Sequence, residues 1–157
     1  MTLEAWVYPT ATPGSWTTVL KKEQPGDFVY TLYAGSPANQ PNVYFNLGTA
    51  ASSERGIPGP SPLAVNTWSH LAGTYDGATL RLFLNGALVA SQPFGGSIAT
   101  SAGALRLGGN AIWGAYFQGR IDELRIYNRA LSLGEIQTDM NTPIGGASAG
   151  GTALRSP

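Results

Sequence analysis

Cysteine is absent from this 157-residue chain, which excludes disulfides and thiolate metal sites and fits either a reducing cytosol or a secreted protein that never relied on disulfides. Charge is scarce: nine Lys and Arg balance nine Asp and Glu, and charged residues make up 11% of the sequence. No basic stripe occurs, so the electrostatic footprint of a nucleic-acid binder is missing. No apolar run approaches the roughly 20 residues that span a bilayer, and membrane insertion is not expected. Met1 leads straight into "TLEAWVY" without a basic and apolar signal segment; if the parent protein is exported, its signal lies outside this chain. A single histidine, His70, leaves nucleophilic catalysis without a geometric partner. The glycines of "LRLGGNAIWGAYFQG" match neither a dinucleotide fingerprint nor a P-loop and read as turn glycines.

What the chain does have is 21 Gly and 11 Pro, the composition of many short strands joined by tight turns. At this length one core is expected, since single domains run to roughly 100–200 residues. Period-two patterning with β-branched and aromatic residues marks nine candidate strands: 2–8, 16–23, 28–34, 42–48, 68–75, 78–85, 87–92, 104–109 and 120–128. Asp76-Gly77 and Asn85-Gly86 read as two-residue hairpin turns and make 68–92 a three-stranded meander. The Pro/Gly/Ser-rich piece 51–66 lacks periodicity and reads as a long surface loop crossing between sheets. Ser132 and Glu135 form a Ser-x-x-Glu capping box that opens one short helix, about 132–140. Beyond it, the Gly/Ala/Ser-rich residues 143–157 have the composition of a flexible linker, so the domain is expected to span 1–142.

Four stretches in order, "TLEAWVYP", "NTWSHLAGTYDGATLRLFLNGALVAS", "ALRLGGN" and "FQGRIDELRIYNRALSLGEI", resemble the laminin-G-like, concanavalin A-like jelly-roll domains found as modules in secreted bacterial proteins. The resemblance implies an all-β sandwich of two antiparallel sheets, in an extracellular or cell-surface protein, often recognising glycans. It also exposes a departure, because such domains usually open with a further Asp-rich strand before the segment matching "TLEAWV". A sheet edge left unpaired tends to recruit a strand, so self-association through a donated strand, such as the tail of a neighbouring copy, is an alternative to a boundary cut within the domain.

The adjacent carboxylates Asp122 and Glu123 invite a catalytic reading. Glycoside hydrolysis needs two carboxyls flanking one bond, about 5 Å apart for retention and wider for inversion. Alternation along a strand sends neighbours to opposite faces. The Glu-x-Asp-x-x-Glu spacing of sandwich-fold endoglucanases, laid over "RIDELR", puts Arg120 and Arg125 where the glutamates belong, and guanidinium groups cannot transfer protons. The remaining acids are scattered, so a non-catalytic domain is expected and a glycoside hydrolase is the lesser alternative. The resemblance further implies one structural calcium, with Asp122 as a ligand and Asn110 as an amide candidate, against the alternative that Asp122 caps backbone amides.

Sugar sites pair an aromatic platform with hydrogen-bonding side chains. Trp113 with Tyr116 in "GGNAIWGAY" is the leading platform, Asn110 the nearest amide, and Tyr33 and Tyr44, with Tyr30, are candidates for a concave face where Asn46 and Gln40 could donate. Trp6 and Trp68 are assigned to the core. The expected activity is recognition of a glycan or cell-surface ligand, and the alternative is an assembly role.

Overall fold

The computed structural model describes residues 1–48 and 53–145. In the first strand, Thr2–Pro9 (β1), the residues Leu3, Ala5 and Val7 are fully buried between two sheets, as period-two alternation requires when one face meets the core. The further strands are Thr17–Gln24 (β2), Asp27–Gly35 (β3), Asn42–Asn46 (β4), Glu54–Pro58 (β5), Ser69–Tyr75 (β6), Thr79–Leu84 (β7), Ala87–Pro93 (β8), Leu105–Leu107 (β9) and Gly119–Tyr127 (β10). They form two five-stranded antiparallel sheets in the orders β10-β1-β6-β7-β8 and β5-β4-β3-β2-β9. The core between them is built from Leu3, Leu71, Leu80 and Leu82 of the first sheet against Leu20, Leu32, Val43 and Phe45 of the second. Gly73 marks a close approach, because a Cβ there would lie 2.4 Å from Cγ2 of Val43 in the facing sheet.

All nine strands read from alternation are present, and a tenth, β5, lies inside the stretch expected to be a loop. Its sequence "ERGIP" carries one inward residue, Ile57, and it pairs along β4 from Asn42↔Pro58 to Asn46↔Glu54. Proline is tolerated there because β5 is an edge strand. Tyr44 compensates for Gly56, its ring occupying the space of the missing side chain. Of the two turns, Asn85-Gly86 has both residues at positive φ, as a two-residue hairpin demands. Asp76-Gly77 differs, since the loop is three residues long and the Asp76 carboxylate accepts the N–H groups of Ala78 and Thr79.

The outer face of the first sheet is closed by the helix Leu133–Asn141 (α1), the one α-helix among the described residues. Leu131 and fully buried Ile136 pack on Ala72 and Phe83, and a side chain of that size contributes about 1.5–3 kcal/mol on burial. Trp6 and Trp68 are only half-buried, because they belong to this outer face and not to the sandwich core; Trp6 Nε1 donates to Met140 O at 3.2 Å. Beside them His70 and Glu4 are fully buried with Nε2 and Oε2 3.4 Å apart. His70 is thus enclosed with a carboxylate as its neighbour.

The capping box forms as expected: the Ser132 side chain accepts from Glu135 N–H, and Glu135 accepts from the Ser132 N–H. That Ser132 N–H, with the Ser132 hydroxyl and the Arg129 guanidinium, holds the Glu135 carboxyl down to about 2. Ser132→Ala is expected to cost about 1 kcal/mol, read as a fall of roughly 2–4 °C in calorimetric melting temperature. Residues 146–157 of the expected linker lie outside the described residues.

Candidate ligand-binding cleft

Register builds the outer face of the second sheet. Lys21 opposes Thr31, Thr31 opposes Tyr44, and Tyr44 opposes Gly56, so one row of side chains crosses β2 to β5 on the side away from the core. Tyr33 follows two residues after Thr31 on the same side. Trp16, in the loop before β2, adopts φ 64° and brings its ring 5.4 Å from Tyr33 and 5.8 Å from Tyr44. A bulky residue in that region is strained, an arrangement that clusters at ligand-contacting positions.

The opposite wall is the loop from Asn110 to Ala115, fastened at several points. Asn110 Oδ1 accepts from Trp113 N–H at 2.7 Å, and its amide donates to Thr18 Oγ1 at 3.1 Å. Glu23 accepts from Ala111 N–H at 2.7 Å and from Arg106 Nε at 3.2 Å. The backbone hydrogen bond, followed by the Arg106 contact, holds the Glu23 carboxyl below its usual range. Trp113 is thereby set on a fixed frame, its ring centroid 4.2 Å from Lys21 Nζ. Together these residues enclose a cleft of about 290 Å3 whose walls include Trp16, Tyr33, Phe28 and Trp113.

Lys21 is the unexpected member. It is 1% exposed, its Nζ donates to Tyr33 Oη at 2.8 Å, and it sits 5.1 Å from the Phe28 ring and 5.0 Å from the Tyr33 ring. Burial pulls the ammonium down to about 8 against Asp27, Glu23 and Glu54, which draw it back up. An unfolded lysine titrates near pH 10.4, so between pH 8 and 10 the unfolded chain holds more protons and stability rises with pH. The urea midpoint of the wild-type chain is expected to increase over that window, and a Lys21→Met variant is expected to lack the increase.

At the rim, Glu54 pairs with Asn46 of β4, on the far side of which Asp27 opens β3, so the two carboxyls are neighbours. Burial, then the nearby Asp27 carboxyl, raise Glu54. Asn46 and Gln24 amides donate to Asp27 Oδ2 at 3.4 and 3.3 Å. This is the second acidic cluster that sequence inspection did not find, since β4 must lie between β3 and β5 before 27 and 54 meet.

Of the residues expected to bind ligand, Trp113, Tyr33, Tyr44 and Asn110 gather at this face, with Asn46 beside them. Tyr116 does not join them; it is 74% exposed, packs over Gly109, and lines a separate hollow with Pro13 and Gly14. Tyr30 points inward and packs at the core with Phe45, and the Gln40 amide donates to Pro60 O at the margin. Missed were Lys21, Trp16, Phe28, Asp27 and Glu54, of which only Trp16, an aromatic in a Pro/Gly-rich loop, carries a sequence signal.

The expected calcium residues do not converge. Asn110 has its amide oxygen taken by Trp113 N–H, and Asp122 Oδ1 accepts from its neighbour Glu123 N–H at 2.8 Å. Asp122 lies opposite Trp6 in the other sheet. Among the described residues no three His, Asp or Glu side chains come together. This donor set does not fit a cation that takes six to eight oxygens. The alternation argument for Asp122 and Glu123 also changes, because a bulge opposite Ala5 places Glu123 at φ 51°. The Glu123 carboxylate is mostly buried, accepting from Arg125 at 3.2 Å and from Ile144 N–H at 2.6 Å, so it is no surface group. Arg125 also donates to Asp139 O and Thr142 O, tying the helix end to β10.

A family model described as Laminin_G_3, concanavalin A-like lectin/glucanases superfamily, matches residues 1–137. Among solved structures, domain 4 of AbnA, a GH43 extracellular arabinanase from Geobacillus stearothermophilus, in complex with arabinotriose, superposes with TM-score 0.70 at 23% identity, over 88% of this chain and 65% of that one. The CBM40 of Ruminococcus gnavus IT-sialidase bound to α2,3 sialyllactose gives TM-score 0.66 at 20% identity, over 87% and 80%. Pappalysin-1 of Mus musculus is 33% identical over 108 residues, which are 65% of this chain and 7% of that protein's length.

Proposed function

The chain belongs to the concanavalin A-like lectin/glucanases superfamily, and we propose that it is a non-catalytic carbohydrate-binding module of an exported protein. The glycan sits in the cleft between Trp16 and Trp113. The observation that carries this reading is a preformed aromatic enclosure on a sheet face, with amide and carboxyl groups at its rim. Sugar rings offer apolar C–H faces to such walls and hydroxyls to such rims. Two relatives of the same fold are described in complex with an oligosaccharide, which agrees with that use of the architecture.

A glycan panel probed with the purified chain tests the reading. Binding is expected to at least one oligosaccharide, weakened at least tenfold by Trp16→Ala; no binding across the panel rejects it. One observation favours the assembly reading as well. The edge strands β9 and β10 flank a hollow of about 360 Å3 lined by Leu107, Phe117, Ile121 and Leu124, with Leu105 and Leu107 exposed beside it. Open edges of this kind pair with other strands. A second copy of this chain is the occupant in that reading, and a monomer by light scattering across the micromolar range removes it.

A further inference from the structure

We infer that this cleft selects amino sugars over neutral sugars and turns away sugars that carry a carboxylate; the inference rests on the binding reading above. Its basis is the distribution of charge around the aromatic walls. The one cation that lines the cleft among the described residues, Lys21, is almost completely enclosed, with its ammonium committed to Tyr33 Oη and ringed by Phe28, Tyr33 and Trp113. To reach a ligand carboxylate it would have to leave those rings. The neighbouring cations are also engaged: Arg106 with Glu23, Lys22 with Gly103 O, and Arg55 with Glu54 O and the Phe94 ring.

The acids are placed differently. Glu54 is exposed and lines the cleft, and it pairs with Asn46, whose amide donates to Asp27, so a second carboxyl stands nearby. Neighbouring carboxyls resist ionising together, and a ligand cation on the open side of the rim relieves that repulsion beyond what enclosed Lys21 supplies from within. A ligand ammonium supplies such a cation, with donors on a sugar ring that the indoles can stack. A ligand carboxylate would add a third negative group to the same rim, in a cleft where low dielectric strengthens the repulsion. The aromatic walls remain equally good for every sugar, so the rim decides among them.

Calorimetry with three probes of matched length at pH 7 tests this: a glucosamine trisaccharide, its N-acetylated counterpart and a trigalacturonate. The amine is expected to bind at least tenfold tighter than the N-acetylated sugar, and the galacturonate at least tenfold weaker than it. In Glu54→Gln, folded as judged by circular dichroism, the ratio of amine to N-acetyl affinity is expected to fall toward one. Galacturonate binding as tight as the neutral sugar, or an amine preference that is absent or survives Glu54→Gln, overturns the inference while leaving a glycan-binding module in place. No binding to any of the three, together with a blank glycan panel, instead overturns the reading on which it rests.

Discussion

Replacing Trp113 by alanine is expected to weaken glycan binding by about 2–4 kcal/mol, the range of a central aromatic anchor, while the melting temperature moves by no more than a few degrees. The separation of the two effects follows from how the loop is built. Trp113 is 55% exposed, so little buried area is lost on folding. The loop's shape rests on Asn110, on Glu23 and on the backbone pair between Asn110 and Gly114, none of which uses the indole. What the indole does supply is one wall of the cleft and a face over Lys21. Trp113→Phe keeps a smaller ring and is expected to lie between wild type and alanine. Titration calorimetry measures both, and an unchanged affinity in the alanine variant would place the glycan elsewhere.

Gly73→Ala is expected to be the opposite case, a severe loss of stability with the site chemistry untouched. Gly73 lies in β6, between β1 and β7 at the centre of the first sheet. An added Cβ would meet Val43 Cγ2 at 2.4 Å and its Cβ at 2.8 Å. Both partners are set by their strands, so the clash must be relieved by moving one sheet. Overpacking of this kind costs about 3 kcal/mol, a fall of roughly 6–12 °C in melting temperature for a domain of this size. The double variant with Val43→Ala makes room for the methyl, and its loss should be smaller than the sum of the two single losses. Strict additivity in urea melts would mean that the sheets do not meet there.

The strands were legible where one side of each met the core, because Leu3, Ala5 and Val7 or Leu71 and Leu82 recur with the period of the pleat. β5 was not legible, since "ERGIP" holds one apolar residue and lets Tyr44 of the next strand cover its glycine. The same dependence on partners hides the bulge at Glu123, which alternation alone cannot place. Within the cleft, Trp113 stood out as an aromatic in a glycine-rich loop. Lys21 could not: its cage takes rings from 28, 33 and 113, and only the pairing of β2 with β3 and the folding back of the loop bring them around one ammonium. Asp27 and Glu54 are likewise neighbours only through β4.

The knot of hydrogen bonds at the end of α1 has a mechanical meaning. Arg125 and Glu123 fasten residues 139, 142 and 144 to β10, on the sheet that does not carry the cleft. Tension applied at Gly145 would therefore enter the molecule through the first sheet, while the pull of a bound glycan would enter through the second. The two forces would cross the full thickness of the sandwich, about 10 Å of interlocked side chains, and load the core across its packed interface before loading the strand that holds the ligand.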